Sequence, residues 1–258
     1  MPADPNRDPA SSAPSSDLLA ALASALVPLG LALRGGFTVL PEDLMPGMRG
    51  GEAAATLLMV GNAGPQMWRA FSASPEASDG LAHPLNRWTQ RQVDAIAAAA
   101  GGLALYPFDA TPVWPFQRWA ARAEPVHPSP LGLLIHPQYG LWHAYRAAIV
   151  LSARLPLPAF AQVASPCQRC ADQPCMNTCP VGAFSASGYD VAACASHLSH
   201  PEGADCLQGG CLARRACPVG SEYQQLPAQN GFHMRSFLNS VRSMEPAGQA
   251  SSRGTLSA

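Results

Sequence analysis

Lysine is absent from this chain: all 16 basic residues among the 258 are arginine. That excludes a Schiff-base lysine of the kind a pyridoxal enzyme uses, and the lysine of a P-loop. Charge of either sign is scarce. Charged residues make up 13% of the chain and the net charge is −1, whereas an average soluble domain carries about 25% charged residues. A balance so close to zero argues against nucleic-acid binding, which calls for a basic patch. Long apolar runs are missing too. Residues 18–33 come closest, but Pro28 and Gly30 interrupt them, and a bilayer span needs about 20 apolar residues. Asp4, Asp8 and Asp17 precede this run, where a signal peptide would carry a basic segment. The expectation is a soluble, cytoplasmic protein without a membrane segment. Cysteine, finally, is absent before position 167; all eight cysteines fall between 167 and 217.

These absences divide the chain. Its length suits one large domain or two small ones. Residues 1–16, rich in Pro, Ser and Asp, and the tail 239–258 are poor in buriable side chains and are expected to be disordered. Between them lie a cysteine-free domain, residues 17–160, and a cysteine module, residues 161–238. In the first, residues 17–27 read as a helix and 55–60 as a buried strand. A helix begins near residue 64. Residues 83–100 carry a helical stripe of Leu85, Trp88, Gln92 or Val93, and Ile96, with Arg87 and Arg91 opposite. A short strand follows at 103–108, and apolar runs occur at 131–136 and 141–151. Helices and short strands so mixed predict an α+β fold.

The cysteines form two quartets. Cys167, Cys170, Cys175 and Cys179 precede Pro180; Cys194, Cys206, Cys211 and Cys217 precede Pro218; both quartets end in Cys-Pro-Val-Gly. No export signal marks the chain for an oxidising compartment, so metal ligation is the default reading rather than disulfides. Bacterial-type ferredoxins carry C-x₂-C-x₂-C-x₃-C-P, with the last cysteine ligating the other cluster. The quartets here resemble that pattern with wider gaps, which predicts a small ferredoxin-like domain with two 4Fe–4S clusters. A cubane offers three irons to a tight loop and turns the fourth toward a remote segment. By that logic Cys167, Cys170 and Cys175 take the remote Cys217, and Cys194, Cys206 and Cys211 take the remote Cys179. Two zinc sites are the bland alternative, but zinc favours two C-x₂₋₄-C pairs and only one C-x₂-C is present. A single cluster is a further alternative. His197 and His200 lie between ligands and could replace one of them.

Residues 135–158, IHPQYGLWHAYRAAIVLSARLPLP, resemble the CblC family of cobalamin-processing proteins. LVPLGLAL, LMPG, ATLLMVGNAGPQMWRAF and HPLNRW earlier in the chain resemble it more loosely. The resemblance implies a nitroreductase-like α/β sandwich that holds a corrinoid (cobalamin), with flavin as a possible cofactor. Such a domain followed by two 4Fe–4S clusters is similar in layout to epoxyqueuosine reductase and reductive dehalogenases. Both quartets depart from the spacing of epoxyqueuosine reductase, so its substrate is not carried over. The expected activity is that of a reductase passing electrons from the clusters to cobalamin or a small-molecule substrate. The expected partner is a low-potential donor such as flavodoxin or ferredoxin reductase. A plain electron carrier and a flavin-dependent reductase are the alternatives.

Several residues of this stretch are candidates for the site. His136 could contact the corrinoid or donate a proton, or simply fix its turn. Tyr139 and Tyr145 could donate protons in a reductive step or belong to the core. The resemblance places Arg146 where it could bind an anionic cofactor tail; an ion pair is the alternative. Gly140 would let a flat ring approach the backbone. Trp142, with Trp114, Phe116 and Trp119, could wall a cofactor pocket or pack an ordinary core. Gly61–Gly64 follows a strand but lacks the glycine spacing of a nucleotide loop.

Overall fold

The structure is a computed structural model, and residues 13–48 and 50–244 are described. Residues 1–12 and 245–258 of the two segments expected to be disordered lie outside them. The inner edges of those segments are helical: α1 (Ala13–Leu26) begins before residue 17, and α9 (Pro227–Met244) continues past 238. The chain divides into two units. The first holds residues up to 127, 134–169 and 219–223; the second holds 128–133, 170–218 and those from 224 onward. The division differs from a single cut after residue 160, because composition marks where the cysteines start, not where each loop packs.

The first unit is built on one sheet. Its strands are β1 (Ala32–Thr38), β2 (Thr56–Ala63) and β3 (Leu103–Leu105); after the two-residue strands β4 (His127–Pro128) and β5 (Leu134–Ile135) comes β6 (His143–Leu151). Four of these form the sheet in the order β1-β2-β6-β3, and each pairing is antiparallel. β2 is buried from Thr56 to Asn62, which explains its unbroken apolar run: a strand covered on both faces has no solvent side to mark by alternation. Thr56 lies in that run but is not orphaned. Its hydroxyl donates to the Ala153 carbonyl and accepts from the Leu155 amide.

Helices cover both faces. Leu57 and Met59 of β2, with Ala148 and Val150 of β6, pack with Phe116, Trp119, Ala120 and Ala123 of α4 (Phe116–Ala123). The opposite face meets α2 (Gln66–Ser72) and α3 (Pro84–Ala99). In α3, Pro84 sits in the first turn, where its missing N–H costs nothing. The buried stripe is Leu85, Trp88, Thr89, Val93 and Ala97. Ile96, expected in the stripe, is only half-buried and faces a groove against α1 with Leu18 and Leu22. Full burial of Trp88, Leu58 or Ile149 stabilises the unit by about 1.5–3 kcal/mol each.

The second unit is mostly helical: α5 (Pro174–Asn177), α6 (Val191–Leu198), α7 (Ala204–Gly209), α8 (Leu212–Arg215) and α9, with a hairpin of β7 (Phe184–Ser185) and β8 (Gly188–Tyr189). Asp190 caps α6, its side chain accepting from the Ala193 amide at 2.9 Å. A small core of Ala195, Leu198, Cys206 and Leu238 joins α6, α7 and α9. The chain as described therefore mixes helix and sheet, as the α+β reading expects. No helix among the described residues is long and apolar enough to cross a membrane.

Candidate functional site

Two β-bulges shape the interior of the first unit. Leu33 pairs with Val60 but Gly36 pairs with Leu58, so β1 carries an extra residue at Arg34–Gly35. Gly35 has φ +70° and its α-carbon lies so close to the Ala123 carbonyl that a Cβ would sit 2.1 Å from the oxygen; only glycine fits. Val60 pairs with Ala147 but Gly61 pairs with Tyr145, so Arg146 is the extra residue of β6. A bulge re-aims side chains. Tyr145 packs on the α4 side with Ala148, three positions away, where strict alternation would separate them.

The re-aimed side chains meet in a buried polar cluster. Arg34 is 4% exposed and Glu124, at the end of α4, is 8% exposed. Arg34 Nε donates to Glu124 Oε2 at 3.1 Å and Nη2 to Oε1 at 2.6 Å, a bidentate pair. Arg34 Nη1 donates to the Asn62 carbonyl at 3.2 Å, and Nη2 lies 3.4 Å from His143 Nδ1. His143 Nε2 is 3.0 Å from the Leu134 carbonyl, so its proton belongs on Nε2 and its Nδ1 accepts. The Tyr145 hydroxyl donates to Glu124 Oε1. Burial pushes the Tyr145 phenol up, with Glu124 adding to it, so Tyr145 holds its proton.

His136, Tyr139 and Gly140 form a tight turn beside this cluster. The His136 and Gly140 amides and carbonyls exchange hydrogen bonds at 2.9 Å. His136 Nδ1 accepts from the amides of Gln138 at 3.1 Å and Tyr139 at 3.2 Å, so its proton is on Nε2. That atom lies 3.8 Å from Glu124 Oε2, beyond hydrogen-bond reach. Burial, with the Arg34 charge adding, lowers His136 to about 4, and the ring is neutral at pH 7. Tyr139 stacks on His136 at 4.4 Å and meets Tyr223 edge-on at 4.9 Å. Gly140 does permit a close approach, but to protein: a Cβ there would lie 1.8 Å from the Val219 carbonyl oxygen, and one on Gly220 would lie 2.4 Å from the Tyr139 carbonyl carbon.

The remaining candidates lie apart. The bulge turns Arg146 toward α3, where Nη2 donates to Asn86 Oδ1 and Thr89 Oγ1 at 3.1 Å. Its partners on α3 are all neutral, and burial lowers it to about 10. Trp142 is 1% exposed and belongs to the interior. Phe116 and Trp119 are core residues against the sheet, with Trp114 packed on them. Residues 61–63 continue β2, and the Gly64 amide donates to the Trp142 carbonyl, so that segment serves the sheet. Arg34 and Glu124 escaped sequence reasoning. The one signal was an arginine and two glycines breaking an apolar strand.

In the second unit Cys179, Cys194, Cys206 and Cys211 line one narrow, apolar cavity, closed by Phe184, Leu198, Leu212 and Met234. Cys194 and Cys206 come from α6 and α7, Cys211 caps α8, and Cys179 follows α5. Their thiols feel one another. Burial pushes Cys194, Cys206 and Cys211 up; Cys179 and Cys206 add to this at Cys194, and Cys206 and Cys194 add to it at Cys211. The Tyr189 hydroxyl bonds to Cys194, and the Ala183 amide donates to Cys179 Sγ at 3.3 Å. His197 lines the same cavity; His200 turns away, its Nδ1 2.7 Å from the Ser196 carbonyl. Cys170, Cys175 and Cys217 belong to the second unit and Cys167 to the first. No group of three or more His, Cys, Asp or Glu side chains among the described residues is drawn in around a single metal ion.

No protein-family model matches this chain, and no curated protein does. Solved structures match the chain at low identity. The C. elegans B12-trafficking protein CblC is 12% identical with a TM-score of 0.48, over 86% of this chain and 96% of that one. An epoxyqueuosine reductase solved with a modified tRNA-Tyr stem loop is 14% identical with a TM-score of 0.48, over 83% and 68%. The epoxyqueuosine reductase of Streptococcus thermophilus is 14% identical with a TM-score of 0.44, over 77% and 65%.

Proposed function

We propose that this chain is an iron–sulfur oxidoreductase. Its cysteines hold two 4Fe–4S clusters, and its first unit serves a corrinoid, for reductive chemistry on cobalamin or a small molecule. The observation that carries the reading is the cavity lined by Cys179, Cys194, Cys206 and Cys211. Four sulfurs from four separate segments converge on apolar walls, the donor set and surroundings that suit a thiolate-bound cluster. Cys167, Cys170, Cys175 and Cys217 would hold the second cluster. Clusters of this type supply low-potential electrons one at a time, down to about −700 mV. A low-potential donor such as flavodoxin or ferredoxin reductase would load them.

The corrinoid rests on the resemblance of residues 135–158 to the CblC family. Toward it the first unit offers an N–H for hydrogen bonding. His136 keeps its proton on Nε2, because two backbone amides occupy Nδ1. Tyr145 spends its own on Glu124, so His136 is the better placed hydrogen-bond donor and Tyr139 orients it by stacking. Arg34, in its bidentate pair with Glu124, adds to the burial that keeps His136 neutral.

The test is anaerobic purification with iron, sulfide, zinc and cobalt analysis, followed by a cobalamin titration watched by absorbance. About eight iron per chain, with a cobalamin spectrum shifted toward the base-off form, is the expected result. Eight iron without a cobalamin response would leave a two-cluster electron carrier, and a yellow chromophore released on denaturation would put flavin in its place. Two zinc and no iron would overturn the reading.

A further inference from the structure

His197 lies on α6 three residues after Cys194, so the two side chains share one helix face. It lines the cavity of the four cysteines, and its Nε2 is buried without a hydrogen-bond partner. Leaving such an atom unsatisfied costs about 1–3 kcal/mol, and native proteins leave few of them so. The surrounding cavity wall is apolar, with Phe184, Leu198 and Met234, none of which accepts a hydrogen bond well. The sulfurs are the acceptors within the cavity. Eight cysteines already match the eight ligand places of two clusters, so a fifth side chain at this cavity is not needed as a ligand.

We propose that His197 donates its Nε2 proton to a sulfur of the cluster held by Cys179, Cys194, Cys206 and Cys211, and so sets that cluster's reduction potential. The inference rests on the iron–sulfur reading of these cysteines. Hydrogen bonds to the sulfurs are one lever on cluster potential. Reduction adds an electron and no proton, and the extra negative charge strengthens the N–H bond to sulfur. His197 therefore favours the reduced cluster, acting as a positioning and tuning group without touching the substrate.

The experiment is a redox titration of the full chain, purified anaerobically and followed by EPR, comparing the wild type with His197→Leu and His197→Gln. The relevant signal is the one that Cys206→Ala abolishes. His197→Leu should make this cluster harder to reduce. At fixed poise its reduced-to-oxidised ratio should fall about fivefold, the equivalent of about 1 kcal/mol for one hydrogen bond. His197→Gln retains an N–H donor and should recover part of the shift, while the other cluster is unmoved. In deuterated buffer, pulsed EPR of the reduced wild type should show an exchangeable proton coupling that His197→Leu lacks. Equal potentials in all three proteins, or equal shifts in both variants, would overturn the proposal. So would loss of half the iron in His197→Leu, which would make His197 a ligand. A wild type that holds no 4Fe–4S cluster at all would instead remove the underlying reading.

Discussion

In the first unit the buried guanidinium of Arg34 is answered by protein: it reaches a carboxylate, a backbone carbonyl and an imidazole. Around Cys206 in the second unit the four sulfurs converge on apolar walls, and the one imidazole among them has an Nε2 with no partner. Burial holds both regions, yet the Arg34–Glu124 pair is satisfied within its own unit, while the cysteine cavity is the one we propose to take a cluster. A polar interior that satisfies itself reads as architecture and field-setting; one that does not reads as a binding site.

The sharpest way to break this contrast is to remove a sulfur. Cys206→Ala should lose about half of the roughly eight iron and loosen α6, α7 and α9, since Cys206 is also part of their core. Iron analysis and circular dichroism check it; full iron retention would sink the assignment of that cavity. The next effect belongs to the self-satisfied cluster. Glu124→Ala strands Arg34 in the interior and should cost about 3–5 kcal/mol in urea unfolding. The double variant Arg34→Met with Glu124→Leu should cost clearly less than the single one, because it removes both charges together. A double variant as damaging as the single one would mean that the pair does more than answer itself.

The smallest effect is in pH. The unfolded chain takes up a proton at His136 near 6.5, whereas the folded ring refuses it until about 4. The stability from burying a neutral His136 is full above pH 6.5 and drains as pH falls through that window. Partly screened by its setting, this should amount to about 2 kcal/mol. His136→Asn, which keeps an acceptor for the two amides, should lose less stability between pH 6.5 and 4 in parallel urea titrations. Identical slopes would remove His136 from the account.

The amphipathic stripe of α3 and the apolar run of β2 were legible because burial on a regular element writes itself in local periodicity. So was the meeting of Cys179 with Cys194, Cys206 and Cys211, since the paired Cys-Pro ends imply a swap of remote segments. The bulges were not legible. An extra residue in a strand looks like an ordinary step until the partner strand is known. Arg34 and Glu124 are 90 positions apart, and nothing local ties either to the other. Gly140 signalled a close approach, but not that the approaching group is the chain's own Val219. The stripe of α3 ended at Ala97 instead of Ile96 because the neighbouring α1 covers that edge only partly.

The two bulges lie opposite neighbouring positions of β2, and each lets its strand carry one residue more than its partner. β2 keeps a single count from end to end, while β1 and β6 each skip a beat to stay in step with it. A chain shortened by the single residue Arg146 would still bring Tyr145 opposite Gly61 and onto the side of Ala148. It would lose only the side chain that reaches Asn86 and Thr89. The extra residue is a spacer: it ties the strand to α3 on one face without disturbing the polar cluster on the other.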